Sequence, residues 1–131
     1  MICLSLESMD LLLLLLLKDQ VESLPGQPKL DSHPAGVITM SGTYHKGYFY
    51  VGISSLESEL SIEQCCTLRG SFVKLDGRSG KILWQTFMLP DNFGKTGEYT
   101  GAAIWGSSPP IDTYRNLVYI ATGNLYSVPE I

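Results

Sequence analysis

The stretch GYFYVGISSLE, residues 47–57, decides the fold predicted for this chain. Five of the seven residues from Tyr48 to Ser54 are aromatic or aliphatic. A strand with one face in water would alternate apolar and polar side chains, so this run predicts a strand covered on both faces. Ser54, Ser55 and Glu57 follow near the expected end of the strand, where hydroxyl and carboxylate groups are typical of ligand-binding loops.

The residues around this stretch predict an antiparallel sheet. Apolar segments with β-branched and aromatic residues alternate with turns rich in glycine and polar residues. A long loop at residues 54–70 separates the second strand from the third, and a loop of that length is often functional. The expected strands are residues 35–42, 48–53, 71–76 and 81–87, with turns at 43–46 and 77–80.

A second hairpin is predicted after another long loop at residues 88–101. Its strands are expected at residues 107–112 and 117–122. The sequence FYVGISS, residues 49–55, lines up with VYIATGN, residues 118–124, at an offset of 69. Self-similarity of this kind favours a repeat architecture. The fold class predicted for the chain is therefore all-β.

Composition excludes several classes of function. The chain has 131 residues, 44% of them hydrophobic, and a net charge of −4, so no basic surface favours nucleic acid. Cys65 and Cys66 are neighbours, and Cys3 stands alone near the start. No Cys-x-x-Cys or His-x-x-x-His spacing is present, which argues against a zinc site.

Residues 1–30 differ in character from residues 31–131, and we treat them as a leader and linker. Residues 11–17 are consecutive leucines, which predict a Leu-rich helix from Asp10 to near Ser23. That run is shorter than the roughly 20 residues that a membrane span needs, so we expect no transmembrane span. A replaced N-terminus, an interaction helix and a targeting segment remain alternatives.

Several motifs of residues 31–131 resemble the PQQ-dependent quinoprotein alcohol dehydrogenase-like β-propellers. KLDGRSGKILW, residues 74–84, is similar to the family's blade motif, with Lys74 and Ser79 as departures. VGISSLE, residues 51–57, is similar to a strand and loop that carry a metal-binding Glu. Trp105-Gly106 and the later Thr-Gly-Asn at residues 122–124 are similar to the next blade. Within the family the plant group labelled polyvinylalcohol dehydrogenase-like is nearest.

The resemblance implies pyrroloquinoline quinone (PQQ) and Ca²⁺ as cofactors and a small-molecule alcohol as substrate. It implies Glu57 and Asn124 as metal ligands, and a third ligand, an Asp that also serves as base, beyond Ile131. The family's Cys-Cys pair precedes the blade with the metal-binding Glu, whereas here it follows Glu57. The implied cofactor contacts are Ser54, Ser55, Cys65, Cys66, Arg69 and Trp105.

Length shapes the predicted architecture. A propeller needs at least four blades of about 40 residues, and residues 31–131 have room for roughly two at most. The resemblance therefore implies a partial β-propeller of about one and a half four-stranded antiparallel blades, which needs the remaining blades for closure. We expect a fragment of a larger protein that is inactive alone.

Each site residue also has a plain structural explanation. Glu57 can be a solvated loop acid, Asn124 a turn residue, Trp105 a core residue, and the cysteines two reduced thiols. Three hypotheses about function stay open: a fragment of a quinone-dependent alcohol oxidoreductase, a non-catalytic propeller used for binding, and a truncated gene product without a stable fold.

Overall fold

A computed structural model of the chain describes residues 30–61 and 65–130. The described residues form strands, turns and loops with a single short 3₁₀ helix, Glu57–Glu59, so the all-β prediction is confirmed. The predicted Leu-rich helix of residues 10–23 lies outside the described residues, as does most of the predicted leader. No helix in the described part of the chain is long and apolar enough to cross a membrane.

The larger sheet is antiparallel and is built around one long strand. Its strands are β1 (Gly36–Val37), β2 (Thr43–His45), β3 (Tyr48–Ser55), β4 (Ser71–Asp76) and β5 (Ile82–Phe87). Strand β3 pairs with β4, and β4 pairs with β5, while the two short strands β1 and β2 line the other edge of β3. Most sequence neighbours thus lie beside one another, as in a meander.

The predicted first strand at residues 35–42 is wrong in its second half, and the predicted turn at 43–46 is largely strand. Residues 38–42 leave the sheet because Gly42 has φ of 66° and packs against the Phe49 ring. The Gly52 N–H donates to the Met40 sulfur at 2.9 Å. The tight turn falls at Lys46 and Gly47, both with positive φ, as a two-residue hairpin turn requires.

The two faces of the larger sheet are both covered near β3. One face carries the core, made by Phe49, Val51, Ile53, Val73 and Leu75, with partly buried apolar side chains packed around it. On the other face, the rings of Tyr50, Phe72 and Trp84 contact one another, and Ile104 lies over Gly52. The prediction of a strand covered on both faces is therefore confirmed.

The second half of the described chain forms two small antiparallel pairs. Strand β6 (Thr100–Gly101) pairs with β9 (Leu125–Ser127), and β7 (Ile111–Asp112) pairs with β8 (Leu117–Val118). The predicted strands at 107–112 and 117–122 are thus too long. Pro109 and Pro110 have no N–H to donate, which shortens the pairing. The pair β6–β9 was not predicted.

Residues 101–105, called the seam below, join the two halves. On one side the Ile104 N–H donates to the Ile53 carbonyl at 3.0 Å. On the other side the Gly123 N–H donates to the Ala103 carbonyl at 2.7 Å. The seam therefore lies between the end of β3 and the segment before β9, with a backbone hydrogen bond to each. The proposed repeat of residues 49–55 and 118–124 does not give two matched strands, because the second copy is strand only at Val118.

Candidate functional site

Glu57 stands at the centre of the most polar buried cluster near the end of β3. Its side chain is 2% exposed. The Oε1 atom accepts hydrogen bonds from the Thr67 N–H at 2.8 Å and the Thr67 hydroxyl at 3.2 Å. The Oε2 atom accepts one from the Leu68 N–H at 3.0 Å. The carboxylate thus links the two ends of the loop between β3 and β4. The alternative that Glu57 is a solvated loop acid is therefore wrong.

The two cysteines of the loop lie beside this carboxylate. Cys65 and Cys66 are joined by a disulfide, and the peptide bond between them is cis. A carboxylate oxygen of Glu57 and the two sulfur atoms lie within 4.8 Å of one another. A thiolate is the form of cysteine that binds metals, so this disulfide adds no metal ligand. The disulfide instead places apolar cover against Glu57.

Tyr126 reaches the same cluster from β9. Its hydroxyl is buried and has no hydrogen-bond partner of good geometry in the described part of the chain, while the Ser55 hydroxyl and the Glu57 charge both influence its pKa. Burial raises the pKa of the Tyr126 phenol; the Ser55 hydroxyl opposes that rise, and the negative charge of Glu57 adds to it. The phenol therefore stays protonated at neutral pH and offers a hydrogen-bond donor.

Sequence reasoning missed Tyr126, yet a signal for it was present. The offset of 69 that aligns Phe49 with Val118 also aligns Glu57 with Tyr126. The two side chains occupy equivalent positions of the proposed repeat, and the structure brings them into one cluster.

His33 is a second residue of the cluster that the sequence did not reveal. Its Nε2 atom lies 2.8 Å from the Thr67 hydroxyl and 3.5 Å from Glu57 Oε1. Sequence patterns assign His33 only to the linker before the first strand, and the contact with Thr67 spans 34 residues. Contacts at that separation leave no periodic trace in a sequence.

The predicted cofactor contacts Ser54, Ser55 and Arg69 all have partners within the chain. Ser54 and Ser55 are fully buried. The Ser54 hydroxyl donates to the Val37 carbonyl at 3.0 Å, and the Ser55 hydroxyl accepts the Glu57 N–H at 3.0 Å. Arg69 forms an ion pair with Asp91 at 3.1 Å, and its guanidinium lies 4.2 Å from the centre of the Phe87 ring.

Trp105 and Asn124 lie together at the far side of the seam. The Trp105 indole packs against Gly123, and the side chain is 38% exposed, so its ring is partly open to solvent. Asn124 is exposed, and its amide donates to the Leu125 carbonyl at 3.0 Å. The described contacts bring Glu57 together with Ser55 and the two cysteines, and its charge acts on the Tyr126 phenol. They place Asn124 two residues before Tyr126, and its role as a metal ligand stays a prediction.

The Glu57 carboxylate could bind a hard divalent cation through one of its two oxygens. A carboxylate has about four acceptor positions, and the bonds from Thr67 and Leu68 fill three of them. Among residues 30–61 and 65–130, no donor fills the remaining position, which belongs to Oε2. Calcium prefers carboxylate and amide oxygens, which Glu57 and Asn124 provide. The partly exposed Trp105 ring is available to stack on a planar cofactor. Ser54 and Arg69 instead use their polar groups in contacts within the chain.

A groove in the described part of the chain lies apart from Glu57. It has a volume of about 270 Å³ and is lined mainly by apolar groups of Met40, Ile104, Pro109, Tyr119 and Ile120. The groove runs between the seam and the β7–β8 pair.

Two curated proteins are similar in sequence to this chain. Polyvinylalcohol dehydrogenase from a Pseudomonas species is 39% identical over 110 residues, which are 75% of this chain and 17% of that protein. Polyvinylalcohol dehydrogenase from a Sphingopyxis species is 36% identical over the same shares of the two chains. No protein-family model and no solved structure matches the chain.

The chain is thus similar to part of two dehydrogenases, and it spans 17% of the length of these curated relatives. The likeness supports the oxidoreductase-like resemblance that the motifs indicate. It extends over most of residues 1–131, since it covers 75% of the chain.

Proposed function

We propose that this chain forms part of a PQQ-dependent, alcohol-oxidising β-propeller and contributes a wall of its cofactor site. The observation that carries the proposal is the buried carboxylate of Glu57, whose Oε2 accepts one hydrogen bond from the described residues, in a chain 39% identical over 110 residues to a polyvinylalcohol dehydrogenase. The antiparallel sheet of β1 to β5, in which β1 and β2 share one edge of β3, supports the proposal, because a propeller blade is a four-stranded antiparallel sheet.

The residues of the chain would divide the work of binding. Glu57 would hold Ca²⁺ through Oε2, with Asn124 as a second oxygen ligand. Trp105 would stack its exposed face on the planar cofactor. The Cys65–Cys66 disulfide would keep water away from the carboxylate. Held by these residues, a quinone would supply an acceptor for the two electrons and the hydrogen that an alcohol loses, and a cation on Glu57 would polarise that quinone.

A titration of PQQ into the purified full-length protein that contains this chain tests the proposal. Quenching of tryptophan fluorescence would be followed in Ca²⁺ and again after chelation by EDTA. We expect binding that requires Ca²⁺, and affinity about tenfold weaker or worse in Glu57→Gln and in Asn124→Ala, which is the effect of losing about 1.4 kcal/mol.

Glu59→Gln is the matched control, because Glu59 is an exposed acid of the same 3₁₀ helix. Its affinity should equal that of the unaltered chain. Absence of any Ca²⁺-dependent quenching would refute the proposal and would favour a non-catalytic propeller. Equal binding by all variants would refute the assignment of Glu57 and Asn124.

A further inference from the structure

The imidazole of His33 is held at both ring nitrogens. The Nδ1 atom accepts a hydrogen bond from the Ala35 N–H at 3.1 Å. The Nε2 atom lies 2.8 Å from the Thr67 hydroxyl. The backbone of His33 is held too, because its N–H donates to Asp31 Oδ1 at 2.8 Å and its carbonyl accepts the Gly36 N–H at 3.1 Å.

These contacts fix the tautomer of the neutral ring. A backbone N–H can only donate, so Nδ1 must present its lone pair to Ala35. The proton of the neutral imidazole therefore sits on Nε2, which donates to the Thr67 hydroxyl. With that oxygen accepting from His33, the Thr67 proton points to Glu57 Oε1, 3.2 Å away. The direction of every hydrogen bond from Ala35 to Glu57 is then determined.

Each group in this series therefore donates to the next, from the Ala35 N–H through His33 and Thr67 to the buried carboxylate of Glu57. The last hydrogen bond of the series goes to Oε1, whereas Oε2 accepts only the Leu68 N–H among the described residues. Asp31 anchors the start of this series, since its buried carboxylate also accepts bonds from Ser71 at 3.0 Å and Gln85 at 2.8 Å. The segment before β1 is thus tied both to β4 and to the loop that carries Thr67.

We propose that His33 is a positioning residue for Glu57: through Thr67, its Nε2–H tautomer fixes the orientation of the carboxylate and selects Oε2 as the ligand oxygen. What Glu57 binds rests on the proposed function. The orientation of Glu57 by His33 is independent of the proposed function, because all the contacts that produce it lie within the described residues.

Two substitutions distinguish the positioning of Glu57 by His33 from a structural role of His33 in its own turn. His33→Asn keeps an acceptor where Nδ1 was, so it preserves the turn with Ala35 and removes the donor to Thr67. His33→Gln keeps an N–H donor where Nε2 was and removes the acceptor for Ala35. If His33 only shapes its own turn, His33→Asn should preserve the native hydrogen bonds better than His33→Gln. If His33 positions Glu57, His33→Gln should preserve them better.

Hydrogen exchange of the Thr67 and Leu68 amides reports on Glu57 directly, because both amides donate to its carboxylate. We expect exchange about fivefold faster in His33→Asn, the effect of losing one hydrogen bond, and rates near the original in His33→Gln. Unchanged rates in His33→Asn, or equal changes in both variants, would overturn the proposal.

Nitrogen NMR of the unaltered chain gives a second test that needs no variant. Nδ1 of neutral His33 should resonate as an unprotonated ring nitrogen and Nε2 as a protonated one. The opposite pattern would overturn the proposal even if both variants failed to fold. Neither measurement uses PQQ or Ca²⁺, so their failure is distinct from the failure of the cofactor titration.

Discussion

Replacing Gly70 by alanine should disrupt the contact between the seam and the larger sheet. A Cβ atom at Gly70 would lie 1.9 Å from the Ala102 carbonyl oxygen and 2.9 Å from the Ala103 Cα. Carbon and oxygen atoms normally approach to about 3.3 Å at closest. Both obstacles are backbone atoms, so no side-chain rotation relieves them and the two segments must separate.

That separation breaks two hydrogen bonds. The Gly70 N–H donates to the Gly101 carbonyl at 2.8 Å, and the Gly101 N–H donates to the Leu68 carbonyl at 2.9 Å. Each is worth about 0.5–1.5 kcal/mol. The backbone shifts that extra atoms force add about 1–3 kcal/mol. Gly70→Ala should therefore lower the free energy of unfolding by about 2–6 kcal/mol.

Urea unfolding followed by tryptophan fluorescence measures this loss. Gly106→Ala is the matched control, because a Cβ at Gly106 would meet nothing within 4 Å. The control should change the free energy of unfolding by no more than about 0.5 kcal/mol. If Gly70→Ala is as stable as Gly106→Ala, residues 101–102 do not pack against Gly70 as described.

Three further substitutions test other parts of the structure. Glu57→Gln should cost about 1–3 kcal/mol in urea unfolding, because an amide NH₂ replaces one acceptor of Thr67 and Leu68; stability equal to that of Glu59→Gln would contradict the buried carboxylate. Tyr126→Phe should not lower stability near pH 7, because the lost hydroxyl has no partner in the described residues. Since the Tyr126 pKa is raised above 10.0, the unaltered chain should lose stability relative to Tyr126→Phe as pH rises beyond 10.0, and parallel curves would refute this. The Asp76 pKa is lowered below 3.8, chiefly by hydrogen bonds from Ser79, so Asp76→Asn should remove a contribution that is present above pH 3.8 and lost as pH falls further; identical acid-unfolding curves would argue against it.

The central strands could be predicted because their signals are local. The predicted strand at residues 71–76 matches Ser71–Asp76, and the predicted strand at 81–87 matches Ile82–Phe87 to within one residue. Asp76 accepts the N–H groups of Arg78 and Ser79, so the turn between these strands is specified by its own side chains.

The edges of the fold could not be predicted in the same way. Residues 38–42 are apolar and β-branched enough to form a strand, yet a thioether replaces a backbone carbonyl as partner of Gly52. Nothing in the local pattern distinguishes the two partners. The short pair β6–β9 is likewise specified by contacts across 27 residues, such as the bond between the Thr100 and Ser127 hydroxyls.

The candidate site shows the same division. The position of Glu57 beyond a buried strand follows from the pattern of residues 48–57. Its burial depends on Thr67 and Leu68, and its neighbours His33 and Tyr126 come from distant segments. The sequence predicts which polar residues follow the strand, but it does not predict their hydrogen-bond partners.

The backbone bonds on the two sides of the seam set a distance. Ile53 is bonded to Ile104 on one side, and Gly123 is bonded to Ala103 on the other. At the usual spacing of about 4.8 Å between hydrogen-bonded strands, two such steps amount to about 10 Å between the flanking backbones. Substitutions at Ser54 or Asn124 can therefore change the length and chemistry of a side chain while the bonds of Ala103 and Ile104 keep both main chains in place.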